Sequence, residues 1–116
     1  GTLMGVNNAL KAKKINAKII QVQPEESNAT HGIQGINDGE DFLLDKNILD
    51  GVIYVKTKDA IARAKRLAKE KGLLVGISAG ANVLAAERWV EENNPEHPVV
   101  TILCDRGERY FSCYED

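Results

Sequence analysis

Four short apolar runs, with helical patterns among them, limit most what this chain can fold into. They are 18–23 (KIIQVQ), 51–56 (GVIYVK), 73–77 (LLVGI) and 99–104 (VVTILC). Each is rich in β-branched or other large apolar residues and nearly continuous rather than alternating. A strand with one wet face alternates polar and apolar residues. Continuous runs therefore predict strands covered on both faces, as in a parallel sheet. Between and around them lie helical periods. Leu3, Val6 and Leu10 predict a first helix that opens almost at residue 1. In the second, Thr57 is a candidate cap, Ala60, Ile61, Ala64, Leu67 and Ala68 share a face, and Gly72 is a stop. Val83, Ala86 and Val90 give the third a face, and the stretch from Glu91 to Pro95 ends it. Alternating strands and helices predict an α/β fold with a parallel sheet and flanking helices.

The chain has 116 residues, a length that suits one domain, and a formal net charge of −2 with no long basic run. That balance argues against a nucleic-acid partner. No apolar stretch is long enough for a membrane span, and the N-terminus lacks the pattern of a secretory signal. Cys104 and Cys113 have no metal-ligand spacing, which points to reduced thiols in the cytoplasm, with Cys104 expected to be buried at a strand end. The acidic stretch from Asn37 to Asp41 lacks the spacing of a calcium loop, so no metal is expected there. It sits in a polar, glycine-containing segment, 25–47, without a clear period; a segment that long is functional or structured in a way the pattern does not reveal.

The most suggestive motif is Gly76-Ile77-Ser78-Ala79-Gly80. It fits the G-x-S-x-G elbow that presents a nucleophilic serine in α/β-hydrolases, and it stands between an apolar run and a helical pattern as the elbow requires. A hydrolase also needs an acid and then a histidine downstream. His31 is upstream of Ser78, and His97 precedes the candidate acid Asp105, so the order is wrong. The other reading of Ser78 is a helix N-cap at a strand-to-helix turn. Such turns lie at the carboxyl edge of a parallel sheet, where α/β folds bind ligands. Asp105 and the Gly107-Glu108-Arg109-Tyr110 turn, which follow the last run, are expected at the same edge.

Four stretches in order resemble the C-terminal part of the cysteine synthase (O-acetylserine sulfhydrylase) family of fold-type II pyridoxal-phosphate enzymes. "GTLMGV" at 1–6 is similar to the end of the family's phosphate loop and the helix behind it. "GIQGI" at 32–36 resembles a segment over the active site. The stretch 58–86 (KDAIARAKRLAKEKGLLVGISAGANVLAA) is similar almost throughout, and 99–112 (VVTILCDRGERYFS) resembles the last strand and tail. The resemblance implies that residues 1–116 are the C-terminal portion of the large, cofactor-binding domain. The N-terminal half of the enzyme, with its Schiff-base lysine, would then be absent from this chain, which supplies no catalytic residue of that kind.

The resemblance further implies pyridoxal 5′-phosphate as cofactor. Gly1 and Thr2 would hold its phosphate, Gly35 would lie over the site, and Ser78 would hydrogen-bond the pyridine nitrogen. It implies small amino-acid substrates, the missing N-terminal half as a partner, and a homodimer. Two departures bear on specificity. The segment from Gly35 to Phe42 is longer and more acidic than the family's usual form, which makes Asp38 a candidate substrate-facing acid. Cys104-Asp105-Arg106 replaces the Pro-Ser-Ser of many cysteine synthases. Cystathionine β-synthase, lanthionine synthase and cysteine desulfhydrase activities stay open beside cysteine synthesis. An α/β-hydrolase fragment and a freestanding phosphate-binding domain are the alternatives outside the family.

Overall fold

The computed structural model describes residues 2–25 and 49–110. Its elements are α1 (Thr2–Ala12), β1 (Ile20–Pro24), β2 (Gly51–Val55), α2 (Thr57–Lys71) and α3 (Ile77–Asn93), followed by a short 3₁₀ turn (Gly107–Tyr110). The first helix starts where its pattern predicts. Its face is turned from the expected one, however: Asn7 is the buried residue, and Val6 is exposed. Lys14 takes a positive φ of 57°, and the Ile15 N–H closes the helix on the Leu10 carbonyl at 2.9 Å.

Two of the four apolar runs form strands, and they pair in parallel. Ile20 stands opposite Gly51, Val22 opposite Ile53 and Pro24 opposite Val55. Asp50 fixes the start of the pair from both sides. Its Oδ2 accepts the Ile19 N–H at 2.6 Å, and its own N–H donates to the Ile19 carbonyl at 2.8 Å. One sheet face carries Val22, Ile53 and Val55 onto Ala60, Ile61, Ile77, Ala81, Leu84 and Ala85 of the helices. Val55 is fully buried and Ile77 almost so. Burial of a Val or Ile side chain contributes about 1.5–3 kcal/mol each.

The other two runs do not become strands among the described residues. Val75 makes a single antiparallel bridge to Arg106, and Ile77 already belongs to α3. The 99–104 run forms no strand, and Val99, Val100, Ile102 and Leu103 are all exposed. An apolar β-branched run becomes a strand only where a second backbone lies along it, and among the described residues the 74–76 backbone meets only its end, at Cys104. Cys104, expected to be buried, is a half-buried free thiol.

The helices α2 and α3 pack tightly. Thr57 is the first helical residue of α2 and not its cap; the cap is Lys56, in an extended conformation. Gly72 ends the helix at φ 68°, a left-handed conformation that glycine adopts without a Cβ clash, and its N–H bonds the Ala68 carbonyl. The contact face of α2 is Thr57, Ala60, Ala64 and Leu67. That of α3 is Ile77, Gly80, Ala81 and Ala85; Val90, placed on the inner face by its spacing, is exposed. Arg63 Nε meets Glu87 Oε1 at 2.6 Å across the pair, and Arg88 donates to the Tyr54 carbonyl at 3.0 Å, tying α3 to β2. Asn94, at φ 43°, closes α3. No helix among the described residues is long and apolar enough to cross a membrane.

Candidate active site at the N-terminal turn of α3

The chain enters α3 through Leu74, Val75 and Gly76, and the segment after the last apolar run returns to meet it. The Gly76 N–H is shared between the carbonyls of Cys104 and Asp105, each at 3.3 Å. Val75 and Arg106 form the antiparallel bridge, and the Gly107 N–H donates to the Leu74 carbonyl at 3.1 Å. Asp105 turns the chain with a φ of 60°, a left-handed conformation uncommon outside glycine. Gly107 packs closely: a Cβ there would stand 2.6 Å from Leu74 Cδ1 and 3.0 Å from the Val75 carbonyl oxygen, so a side chain would displace Leu74. The turn before α3 is thus clamped by the tail.

Ser78 is the second residue of α3. It is half-buried, between buried Ile77 and buried Ala79. The cap position is Gly76, so Ser78 does not serve as the N-cap that its setting allowed. Its hydroxyl has no hydrogen-bond partner among the described residues. The first-turn N–H groups of a helix have no intrahelical acceptor and carry partial positive charge. The first turn of α3 contains no acidic residue to offset it. A half-buried, uncommitted hydroxyl at the positive end of a helix can meet a polar ring atom. No imidazole among the described residues activates it as a nucleophile, and His97 is exposed in the loop after α3.

The other expected site residues fall out differently. Asp105 comes to the Ser78 turn through its backbone carbonyl, as the pattern predicts. Thr2 is the exposed first residue of α1. Gly1, Gly35 and Asp38 lie outside the described residues. Gly80 can be expected to open space for a ligand, but it faces α2. A Cβ there would fall 2.2 Å from the Ala60 carbonyl oxygen and 2.9 Å from the Ala64 nitrogen, so the glycine serves helix contact. Asn82 is the residue that motif reading misses. It lies one turn beyond Ser78 and donates to the Ile102 carbonyl at 2.9 Å. Its spacing of four from Ser78 was the available signal. No cluster of metal-ligating side chains occurs among the described residues.

Comparison with known proteins shows the family of this chain. Residues 1–105 match the family described as pyridoxal-phosphate dependent enzymes. Cysteine synthase B of Campylobacter jejuni is 43% identical over 122 residues, covering 97% of this chain and 40% of the relative. A cysteine synthase of Staphylococcus aureus is 38% identical, covering 97% of this chain and 39% of the relative. The crystal structure of O-acetyl serine sulfhydrylase isoform 3 from Entamoeba histolytica superimposes with a TM-score of 0.81 at 36% identity, over 96% of this chain and 36% of that one. The chain thus spans about 40% of the length of the curated relatives it matches. Matched over nearly its whole length in sequence and in fold, the chain belongs to the pyridoxal-phosphate-dependent enzyme family.

Proposed function

We propose that this chain forms the ring-nitrogen side of the cofactor site in a cysteine synthase-like enzyme. That enzyme performs β-replacement, with β-elimination as its first half, on O-acetylserine-like or cysteine-like amino acids, with sulfide as the incoming nucleophile. The observation that carries the proposal is the half-buried hydroxyl of Ser78 in the first turn of α3, which has no hydrogen-bond partner among the described residues. Support comes also from the cysteine synthases among its relatives.

The residues present fit pyridoxal phosphate. When bound, the cofactor supplies an electron sink for the substrate α-carbon. Ser78 donates its hydroxyl proton toward the pyridine nitrogen. A hydroxyl brings no negative charge, so it does not draw a proton onto that nitrogen as a carboxylate would. The positive end of α3 acts in the same sense, because it disfavours a cationic ring. Both features moderate electron withdrawal, which favours loss of a β-substituent over transamination. Gly76 and the 104–105 carbonyls that grip its N–H fix where the hydroxyl stands. Thr2, with Gly1, holds the phosphate at the N-terminus of α1, where helix N–H groups suit an anion. Gly35 and Asp38 stand on the substrate side in this reading. The covalently attached lysine comes from the N-terminal half of the enzyme, which works as a cytoplasmic homodimer.

The test compares Ser78→Ala and Ser78→Asp in the full-length enzyme by cofactor absorbance and O-acetylserine turnover. A neutral hydrogen bond contributes about 0.5–1.5 kcal/mol, so Ser78→Ala should keep the cofactor and slow turnover roughly 2- to 10-fold. Ser78→Asp should slow it further, by drawing a proton onto the ring. A serine-directed phosphonate that labels Ser78, with no cofactor absorbance in the unmodified enzyme, would overturn the proposal.

A further inference from the structure

The tail meets the α3 turn through backbone contacts at Gly76 and Leu74, but just before them it is held by a side chain. Asn82 projects from the same face of α3 as Ser78, one turn on. Its Nδ2 donates to the Ile102 carbonyl at 2.9 Å and stands 3.9 Å from Cys104 Sγ. Cys104 Sγ in turn lies 3.8 Å from the same Ile102 carbonyl. Little else among the described residues holds the approach. Val100 is 86% exposed, and Ile102 and Leu103 are each more than 40% exposed. Yet the carbonyls of Cys104 and Asp105, two and three residues on, must both reach the single N–H of Gly76. Where they stand depends on where residue 102 is fixed.

We propose that Asn82 is a positioning residue for the Ser78 site. By pinning the Ile102 carbonyl and the Cys104 side chain to the second turn of α3, it sets the place of the 104–105 turn, which in turn fixes Gly76 and the start of the helix that carries Ser78. The chemical requirement is a donor. The Ile102 carbonyl accepts, so a residue at 82 must offer an N–H. An aspartate has nearly the same shape but turns a carboxylate oxygen toward that carbonyl, while a glutamine keeps the donor on a longer stem. The link to the cofactor ring rests on the reading of Ser78 given above; the link to Cys104 does not.

The experiment uses the full-length holoenzyme and its Asn82→Ala, Asn82→Asp and Asn82→Gln variants. Two readouts are taken besides activity: the alkylation rate of Cys104 by iodoacetamide, followed on its own peptide, and the absorbance maximum of the bound cofactor. Loss of one hydrogen bond, about 0.5–1.5 kcal/mol, corresponds to a roughly 2- to 10-fold change in the open population. Asn82→Ala and Asn82→Asp should alkylate faster by that factor, shift the cofactor band and lower kcat more than they change KM. Asn82→Gln should restore much of each signal. Alkylation of Asn82→Asp at the unmodified rate would overturn the clamp. Faster alkylation with an unmoved cofactor band would overturn the positioning role and leave only a local contact. If the unmodified protein shows no cofactor band, the reading of Ser78 falls, while the alkylation rates still decide whether Asn82 clamps the tail.

Discussion

The α2–α3 pair and the 99–104 run both carry a regular apolar pattern, and they end in opposite states. The helices bury a seam of small residues: Ala60, Ala64, Gly80, Ala81 and Ala85 are all buried. The run leaves Val100 86% exposed. A helix satisfies its backbone hydrogen bonds internally and needs a partner only for one stripe of side chains. An extended run has no internal bonds, so its fate depends on which backbone lies beside it. Apolar pattern thus determines a helix more completely than it determines a strand.

Changes at the closest point of the seam should have the largest effect. Gly80→Val would drive a branched side chain into the Ala60 carbonyl, where even a Cβ has only 2.2 Å. A clash with backbone is not relieved by a rotamer change, so the expected loss is about 4 kcal/mol or more, above the usual range for an over-packed core. The midpoint of urea unfolding measures it, and a loss under about 1 kcal/mol would show that the helices separate freely. Next comes a matched pair of valines. Val55→Ala removes a fully buried side chain and should cost about 2 kcal/mol. Val100→Ala should stay within about 0.5 kcal/mol, as exposed substitutions do. Equal losses at the two positions would mean that the 99–104 run is covered in solution, and the contrast between the regions would vanish. The rim of the seam should respond between the two valines. Glu87→Gln breaks the 2.6 Å pair with Arg63, whose partner carboxylate is half exposed, and should cost about 0.2–1 kcal/mol. That difference should shrink in 1 M salt, where screening is short-ranged.

Much of this arrangement could be read from the sequence, because it follows from local chemistry or from the general plan of an α/β unit. The stop at Gly72, the end of α3 before Pro95 and the parallel pairing of the first two runs follow from turn chemistry and period. The meeting of Asp105 with the Ser78 turn follows from placing both at one edge of an α/β unit. The part that escaped depends on neighbours distant in sequence. The motif alone allows Gly80 to make room for a ligand, but Ala60, twenty residues away, stands against it. Val90 keeps the helical period but is exposed. Thr57 had the chemistry of a cap, yet the backbone entered the helix one residue earlier. Asn82 was hidden because its partner, the Ile102 carbonyl, is a backbone atom that no side-chain pattern announces.

The grip of residues 104–107 on the turn before α3 also has a consequence in time. The chain leaves the ribosome from its N-terminal end, and domains form as their residues emerge. The α2–α3 seam has all its contacts once Asn93 is out. The Gly76 N–H, by contrast, waits for Cys104 and Asp105, and Leu74 waits for Gly107. Closing so long a stretch costs chain entropy that local helix contact does not. The scaffold beneath Ser78 is therefore finished before the turn that aims it, and a nascent chain halted between the two holds its helices but not yet its site.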